Sequence, residues 1–287
     1  MANITGNNSS ETLFGTSQAD NIHGNGGSDT IWAGRGNDEV HGGWGNDQIH
    51  GGRGNDRLFG EAGNDKMWGD RGNDDMWGGR GDDNMRGGRG NDSMDGGSGN
   101  DHMWGGLGND EMWGGQGNDT MSGGRGKDDM HGGLGDDRMD GGRGNDKLFG
   151  DEGNDVMNGG RGDDVLTGGR GADQLTGGQG SDTYKYGDVA ESVNAVGQYD
   201  TLADFQQGAD KIDLSGIDAN IGVAGDQAFQ YVAYDPNKAL EVGQVTSHYD
   251  AALGKTVVEG NIDALGDTEF RMDLAGNVAL TQNDFNL

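Results

Sequence analysis

From Gly6 to Lys185 the chain scans in a nine-residue frame that never slips, 180 residues or twenty consecutive nonapeptides. The frame reads Gly-Gly-x-Gly-Asn/Asp-Asp-x-apolar-x, as in GGRGNDSMD followed by GGSGNDHMW over residues 87–104. A period held this long is the mark of a stacked repeat architecture. One apolar residue in nine cannot lay down a helical stripe. It can make a very short strand, x-apolar-x, with the central side chain inward and its two neighbours outward. The six residues before it are then expected to turn. Gly at the first, second and fourth positions permits positive φ and close backbone approach. Asn or Asp at the fifth position tolerates the left-handed region.

The fourth-position Gly is present in 18 repeats, Gly27 through Gly180. The sixth position is Asp in the same 18: Asp29, Asp38, Asp47, Asp56, Asp65, Asp74, Asp83, Asp92, Asp101, Asp110, Asp119, Asp128, Asp137, Asp146, Asp155, Asp164, Asp173 and Asp182. Asp20 and Glu11 continue the series backwards through two degenerate repeats, 6–14 and 15–23, which carry Ser9 and Gln18 in place of the fourth-position Gly. The eighth position is apolar throughout, from Leu13 and Ile22 through a run of Met67 to Met139, then Leu148, Met157, Leu166, Leu175 and Tyr184.

Composition argues against a fold until the period is taken into account. The formal net charge is -30 and only 30% of residues are apolar. Such a profile alone predicts a disordered chain, but low-complexity disorder does not keep register. Stacked coils would place Asp upon Asp at steps of about 4.8 Å. That ladder is unstable unless something positive lies between the carboxylates. Cations are the natural partners of this chain, and nucleic acid, whose phosphates want Lys and Arg, is not expected. There is no Cys, hence no disulfide frame and no thiolate metal site. The opening residues MANITGNNSSETLFG hold neither a basic nor an apolar signal-peptide region. No stretch approaches the ~18 apolar residues that span a bilayer. The expectation is a cytoplasmic protein or one exported by a route that does not read the N-terminus.

The nonapeptide G-G-x-G-x-D-x-apolar-x is the calcium-binding β-helix repeat of RTX proteins, and residues 6–185 resemble that family. The resemblance implies an all-β fold, a parallel β-roll solenoid of twenty nonapeptides in which two repeats make one coil. It implies Ca²⁺ between turns on one edge, held by the sixth-position Asp and backbone carbonyls of repeats two apart. The metal ligands expected are Asp20 and the 18 sixth-position aspartates from Asp29 to Asp182, giving up to about 18 sites among the twenty repeats. A hard cation taking six to eight oxygens suits such donors. That many Ca²⁺ ions would more than cancel the deficit of -30. Metal binding and folding then become one event, with the chain unfolded in cytosol and folded outside the cell.

Ten of the 12 Met stand at the inward eighth position. They read as a soft, gap-filling core rather than an oxidation switch or metal site. Five of six Trp (Trp32, Trp68, Trp77, Trp104 and Trp113) stand at the outward ninth position. Alternation of repeats between two sheets puts Trp32, Trp68 and Trp104 on one face and His41, Phe59, Trp77, Trp113, His131 and Phe149 on the other. Cross-strand stacking explains them; an exposed aromatic platform for membrane, polysaccharide or protein is the functional alternative. Arg takes the third position nine times, from Arg35 to Arg170. These are expected on turn edges, moderating the carboxylate field, with a specific anionic ligand as the alternative. No His lies in an H-E-x-x-H spacing, so no zincin site is encoded.

At Tyr186 the frame ends and strand-like runs appear: YDTLADF, DKIDLSGI, QAFQYVAY, KTVVEGNI and TEFRMDLAG. The division expected is 1–23 as degenerate cap repeats, 24–185 as the calcium-binding roll and 186–287 as a β-sandwich-like cap, since solenoids need capped ends. DTLADFQQGADKIDLSGID (200–218) and GNVALTQNDFNL (276–287) resemble the C-terminal domain of serralysin-type secreted proteases. That resemblance implies a type I secretion signal closed by Asp284, Phe285 and Leu287, with the type I secretion machinery as partner and no protease part ahead of the repeats. Ser192, Ser215, Ser247 and His248 sit in no nucleophile elbow or phosphate loop. The expectation is a secreted, non-enzymatic calcium-binding protein. Its plan is similar to that of secreted rhizobial nodulation-signalling proteins, which implies action at a host membrane. A matrix or adhesion protein binding polysaccharide, a secreted enzyme and an ice-binding protein are the alternatives.

Overall fold

The computed structural model describes residues 1–193, 197–220, 227–263 and 268–287. It is all-β, a parallel β-solenoid, with two short 3₁₀ turns at Val189–Glu191 and Gln282–Asp284 and no α-helix among the described residues. The chain forms two compact units, Met1–Lys147 and Leu148–Leu287. The division falls inside the nonapeptide run.

In the first unit successive repeats feed two parallel sheets in turn. The first sheet takes Asn3–Thr5, Asn21–Gly26, Glu39–Trp44, Arg57–Ala62, Asp75–Arg80, Ser93–Ser98, Glu111–Gln116 and Asp129–Leu134 as neighbours in that order. The second takes Thr12–Phe14, Thr30–Arg35, Gln48–Arg53, Lys66–Arg71, Asn84–Arg89, His102–Leu107, Thr120–Arg125 and Arg138–Arg143. Register follows the sequence at a constant step of two repeats: Met67 pairs Met85, Met85 pairs Met103 and Met103 pairs Met121. Every position of the nonapeptide therefore becomes a column of like side chains.

The strands are longer than the x-apolar-x triplet. From Asn21–Gly26 onward each strand of the first unit runs six residues, from the seventh position through the third position of the next repeat, and only the fourth to sixth positions turn. The glycines allow this in two ways. Those at the second and fourth positions take positive φ, as in Gly34 (φ 108) and Gly36 (φ 124). A Cβ on Gly34 would stand 2.5 Å from the Thr16 carbonyl oxygen of the preceding coil. Asn25, Glu61 and Asp70 hold the second position at φ 75, 75 and 70, a cost that short polar side chains bear more easily than Glu. Fifth-position Asn does not take the left-handed region. Its Oδ1 accepts the backbone N–H of the fifth residue one coil on, as Asn37 does from Asn55 at 3.0 Å and Asn55 from Asn73 at 3.0 Å.

The core is the eighth-position column. Ile22, Ile31, Val40, Ile49, Leu58 and the Met67–Met139 series are buried, none above 3% exposed. Each such side chain contributes roughly 1.5–3 kcal/mol on burial. The ninth-position aromatics divide between the faces as the alternation requires.

In the second unit the nonapeptide strands Val156–Arg161 and Gln174–Gln179 pair in parallel, as do Val165–Thr167 and Thr183–Lys185. Asp200–Leu202 then adds beside Gln174–Gln179, and Lys211–Asp213 beside Thr183–Lys185, both still parallel. Phe270–Ala275 pairs Asp200–Leu202 in parallel, and Lys255–Asn261 and Gln244–Asp250 follow as an antiparallel meander. Phe285–Asn286 closes beside Lys211–Asp213. The strand Gln244–Asp250 is absent from the runs read in the sequence, and QAFQYVAY gives only Gln230–Tyr231.

Candidate metal sites

The turns hold the chemistry. Every sixth-position Asp from Asp20 to Asp182 is buried, none above 2% exposed. In the first unit, from Asp38 on, each Oδ1 reaches back one coil and accepts the backbone N–H of the Asp two repeats earlier. Asp38 accepts from Asp20 at 2.8 Å, Asp56 from Asp38 at 2.8 Å, Asp74 from Asp56 at 2.8 Å and Asp92 from Asp74 at 2.9 Å. The other edge repeats the pattern, with Asp47 accepting from Asp29 at 2.7 Å and Asp65 from Asp47 at 2.8 Å. The ladder thus ties coil to coil through one oxygen of each carboxylate.

The second oxygen is orphaned. Oδ2 of Asp29, Asp38, Asp47, Asp56, Asp65, Asp74, Asp83, Asp92, Asp101, Asp110, Asp119, Asp128 and Asp182 is buried with no hydrogen-bond partner. An unpaired buried carboxylate oxygen is costly. First-position Gly shows where these atoms point. A Cβ on Gly24 would lie 2.5 Å from Asp29 Oδ2 and 2.5 Å from the Gly42 carbonyl oxygen. On Gly60 it would lie 2.5 Å from Asp65 Oδ2 and 2.7 Å from the Gly78 carbonyl oxygen. Beside each such Gly is a cradle, bounded by a carboxylate of its own repeat and a carbonyl of the next coil. The donors are all oxygen, suited to a hard cation. First-position Gly is therefore needed for space, not for positive φ.

Electrostatics agree. Burial pushes Asp47, Asp56 and Asp92 up to about 6, Asp65, Asp83 and Asp110 to about 7, and Asp74 to about 8, with neighbouring carboxylates adding to the rise. Without a cation the ladder resists being charged.

Asp20 stands apart. Its Oδ1 accepts the Ala2 N–H at 2.7 Å and its Oδ2 accepts both the N–H and the hydroxyl of Thr16 at 2.7 Å. The hydrogen bonds from Ala2 and Thr16 lower its pKa. Protein donors already do at Asp20 what none does, among the described residues, for the thirteen Oδ2 atoms named above.

The sequence reading missed Asp200 and Asp210. Asp200 Oδ1 accepts the Asp173 N–H at 3.0 Å and Asp210 Oδ1 the Asp182 N–H at 3.0 Å, which carries the ladder past the last nonapeptide. The signal was present as the triplets Asp200-Thr201-Leu202 and Asp210-Lys211-Ile212, the Asp-x-apolar core of the repeat without its glycines.

Among the described residues there is no group of three or more His, Cys, Asp or Glu placed to hold a metal. The ladder spends one carboxylate per coil on each edge, so its cradles depend on backbone oxygen. The serines are engaged structurally. Ser192 donates to the Arg271 carbonyl at 2.5 Å, Ser215 to Asp213 at 2.6 Å, and Ser247 shares a hydrogen bond with the Tyr231 hydroxyl at 2.9 Å.

The family model for the RTX calcium-binding nonapeptide repeat matches residues 5–40, 41–76, 77–112, 113–148 and 149–184. The chain belongs to that family, and its repeats are of the kind that binds Ca²⁺. Among solved structures, the AlgE6R2 subunit of the mannuronan C5-epimerase of Azotobacter vinelandii is similar at 25% identity over 54% of this chain and 89% of that one, with a TM-score of 0.42. The AlgE6R3 subunit of that epimerase matches at 24% identity over 59% of this chain and 80% of its own, TM-score 0.26. Extracellular lipase LipA of Serratia marcescens matches at 15% identity over 75% of this chain and 40% of its own, TM-score 0.32. No curated protein sequence matches the chain.

Proposed function

We propose that this is a secreted, non-enzymatic calcium-binding protein that extracellular Ca²⁺ folds and that acts at a cell surface. The observation that carries the reading is the orphaned Oδ2 in coil after coil, lying where a Cβ on first-position Gly would stand and, as at Gly24 and Gly60, facing a carbonyl oxygen of the next coil. The ligands assigned are the sixth-position aspartates from Asp29 to Asp182, with the carbonyl oxygens of first-position Gly one coil on. A bound Ca²⁺ supplies the charge that these buried carboxylates lack. Asp20, satisfied by Thr16 and Ala2, ends the series.

Residues 1–23 and 186–287 serve as end caps, and the C-terminal residues also serve as the type I export signal. Phe285 is buried in the strand beside Ile212, and Asp284 accepts hydrogen bonds from Gly208 and Thr281. The signal is legible to the type I machinery only in the unfolded chain, which suits a protein that folds after export.

The test is a calcium titration of chelator-treated protein, followed by far-UV circular dichroism and Trp fluorescence. A cooperative coil-to-strand transition at submillimolar to millimolar calcium is expected. A chain already folded in chelator, or indifferent to calcium, overturns the reading.

A further inference from the structure

The two outer faces of the first unit carry opposite charge. The second-sheet strands from Thr30–Arg35 to Arg138–Arg143 hold nine Lys and Arg against only Asp70 and Asp140. The first-sheet strands from Asn21–Gly26 to Asp129–Leu134 hold Arg57 and Arg80 against six Asp and Glu. In a chain of net charge -30, one face is thus cationic. On the acidic face Arg57 pairs with Glu39 at 2.6 Å and His41 with Glu61 at 2.8 Å.

Third-position arginines make most of this face. Arg35, Arg53, Arg71 and Arg89 are register partners in succession, and Arg125 and Arg143 continue the column after Leu107. All six are exposed, and among the described residues none makes an ion pair. They do not moderate the turn carboxylates as expected. At about 4.8 Å per strand the column runs roughly 29 Å. Like charges stacked this way repel one another and persist only at a cost, which an anionic ligand would relieve.

Beside the column lies a groove of about 840 Å³. Its floor includes the second-position residues Gly34, Gly52, Gly88 and Gly106, one wall is the arginine column, and Trp68, Arg86 and Trp104 stand along the other. Stacking takes both faces of His50 and one face each of Trp32 and Trp68, and Arg86 takes one face of Trp104. Trp32 stacks on His50 at 3.8 Å, His50 on Trp68 at 4.3 Å, and Arg86 covers Trp104 at 3.8 Å. No continuous run of open ring faces is left along the groove, and a ring's edge is the electropositive part of an aromatic. A groove with guanidinium forks on one side and ring edges on the other offers hydrogen-bond donors and positive potential. Single-stranded nucleic acid seats successive bases on successive free ring faces, which the stacking of Trp32, His50 and Trp68 has used. An anionic lipid surface would meet the arginine column but is flat and would leave the groove beside it empty. A linear polymer with a carboxylate at short intervals needs what this groove has, since Arg binds carboxylate in bidentate fashion.

We infer that the second-sheet face binds a linear acidic polysaccharide, its carboxylates seated along Arg35, Arg53, Arg71, Arg89, Arg125 and Arg143. This rests on the calcium-folded state proposed above and names the surface component that the folded protein would engage.

The test uses the full chain in calcium, with its folded state checked by circular dichroism, and a short oligogalacturonate as probe in a calorimetric titration. Binding that weakens steeply with salt is expected. The variant R53Q/R71Q/R89Q should lose at least about tenfold in affinity with an unchanged calcium midpoint. R57Q/R80Q, on the other face, should bind as the parent does. Asp70→Asn removes the one carboxylate lining the groove and should tighten binding. A folded chain that ignores the probe, binds neutral dextran equally, prefers single-stranded DNA or is indifferent to the triple substitution overturns the inference. A chain that calcium fails to fold overturns the earlier reading instead.

Discussion

Residues 24–185 and 186–287 both bury carboxylates, and they settle the cost by opposite means. In the C-terminal stretch, past Asp200 whose Oδ2 is still orphaned, the protein supplies the donors. Asp273, 1% exposed, takes Arg271 at 2.9 Å and Lys255 at 3.4 Å. Asp284 takes the Gly208 N–H at 3.0 Å and both donors of Thr281. At the thirteen repeat aspartates named above the protein supplies one N–H and leaves the second oxygen to something from outside. The difference teaches that buried charge is not in itself a mark of function. A half-satisfied carboxylate repeated at one position of the nonapeptide is, because chance does not place it there thirteen times.

Calcium removal should separate the two most sharply. In chelator the repeats should lose their strand signal and all Trp burial, since all six Trp lie before Gly114 in the repeats. A tenfold excess of calcium should restore both.

The next effect is one of pH in the absence of metal. Asp65 and Asp83 at about 7 and Asp74 at about 8 lie above their ordinary 3.8, so the folded chain holds protons that the unfolded chain has released. Metal-free stability is therefore greatest at acid pH and is lost as pH rises from roughly 4 to 8, by about 1.4 kcal/mol per such proton per pH unit. Chelated protein should regain strand signal between pH 8 and pH 5, whereas calcium-loaded protein should lose metal over that range. Chelated protein equally unfolded at both pH values would break the account.

Asp273→Ala should cost about 3–5 kcal/mol in thermal or denaturant unfolding, with or without calcium, because it strands Arg271. Asp74→Ala should instead change sign. It should destabilise by about 1–3 kcal/mol in calcium and stabilise the chelated chain. The same sign in both conditions would refute the contrast.

The smallest expected change is stoichiometric. Gly60→Ala puts a methyl into the cradle of Asp65 and should remove one bound Ca²⁺ per chain by metal analysis.

Much of this was legible in the sequence because the period is rigid. A nine-residue frame fixes register, core column and carboxylate ladder together, and the structure keeps all three. What escaped was whatever the frame does not encode. Asp200 and Asp210 continue the ladder 27 and 28 residues after their partners instead of 18, once the spacing has been relaxed by an inserted loop. Gln244–Asp250 alternates polar and apolar residues too weakly to announce a strand and is held by pairing to Lys255–Asn261. The separation of arginines from acids was open to inspection but needed every second repeat read as one series.

That last point bears on how such a chain can change length. Adjacent repeats are interchangeable to the core and to the turns, since both sheets receive the same eighth-position apolar residue and the same sixth-position Asp. They are not interchangeable to the surface. Loss of two neighbouring repeats keeps every remaining side chain on its own side of the roll. Loss of one reverses the parity of everything after it, moving later arginines among the acids of the opposite side while leaving each cradle and each core contact intact. Selection for folding alone is blind to that event, so an intact arginine column records selection that can count in twos.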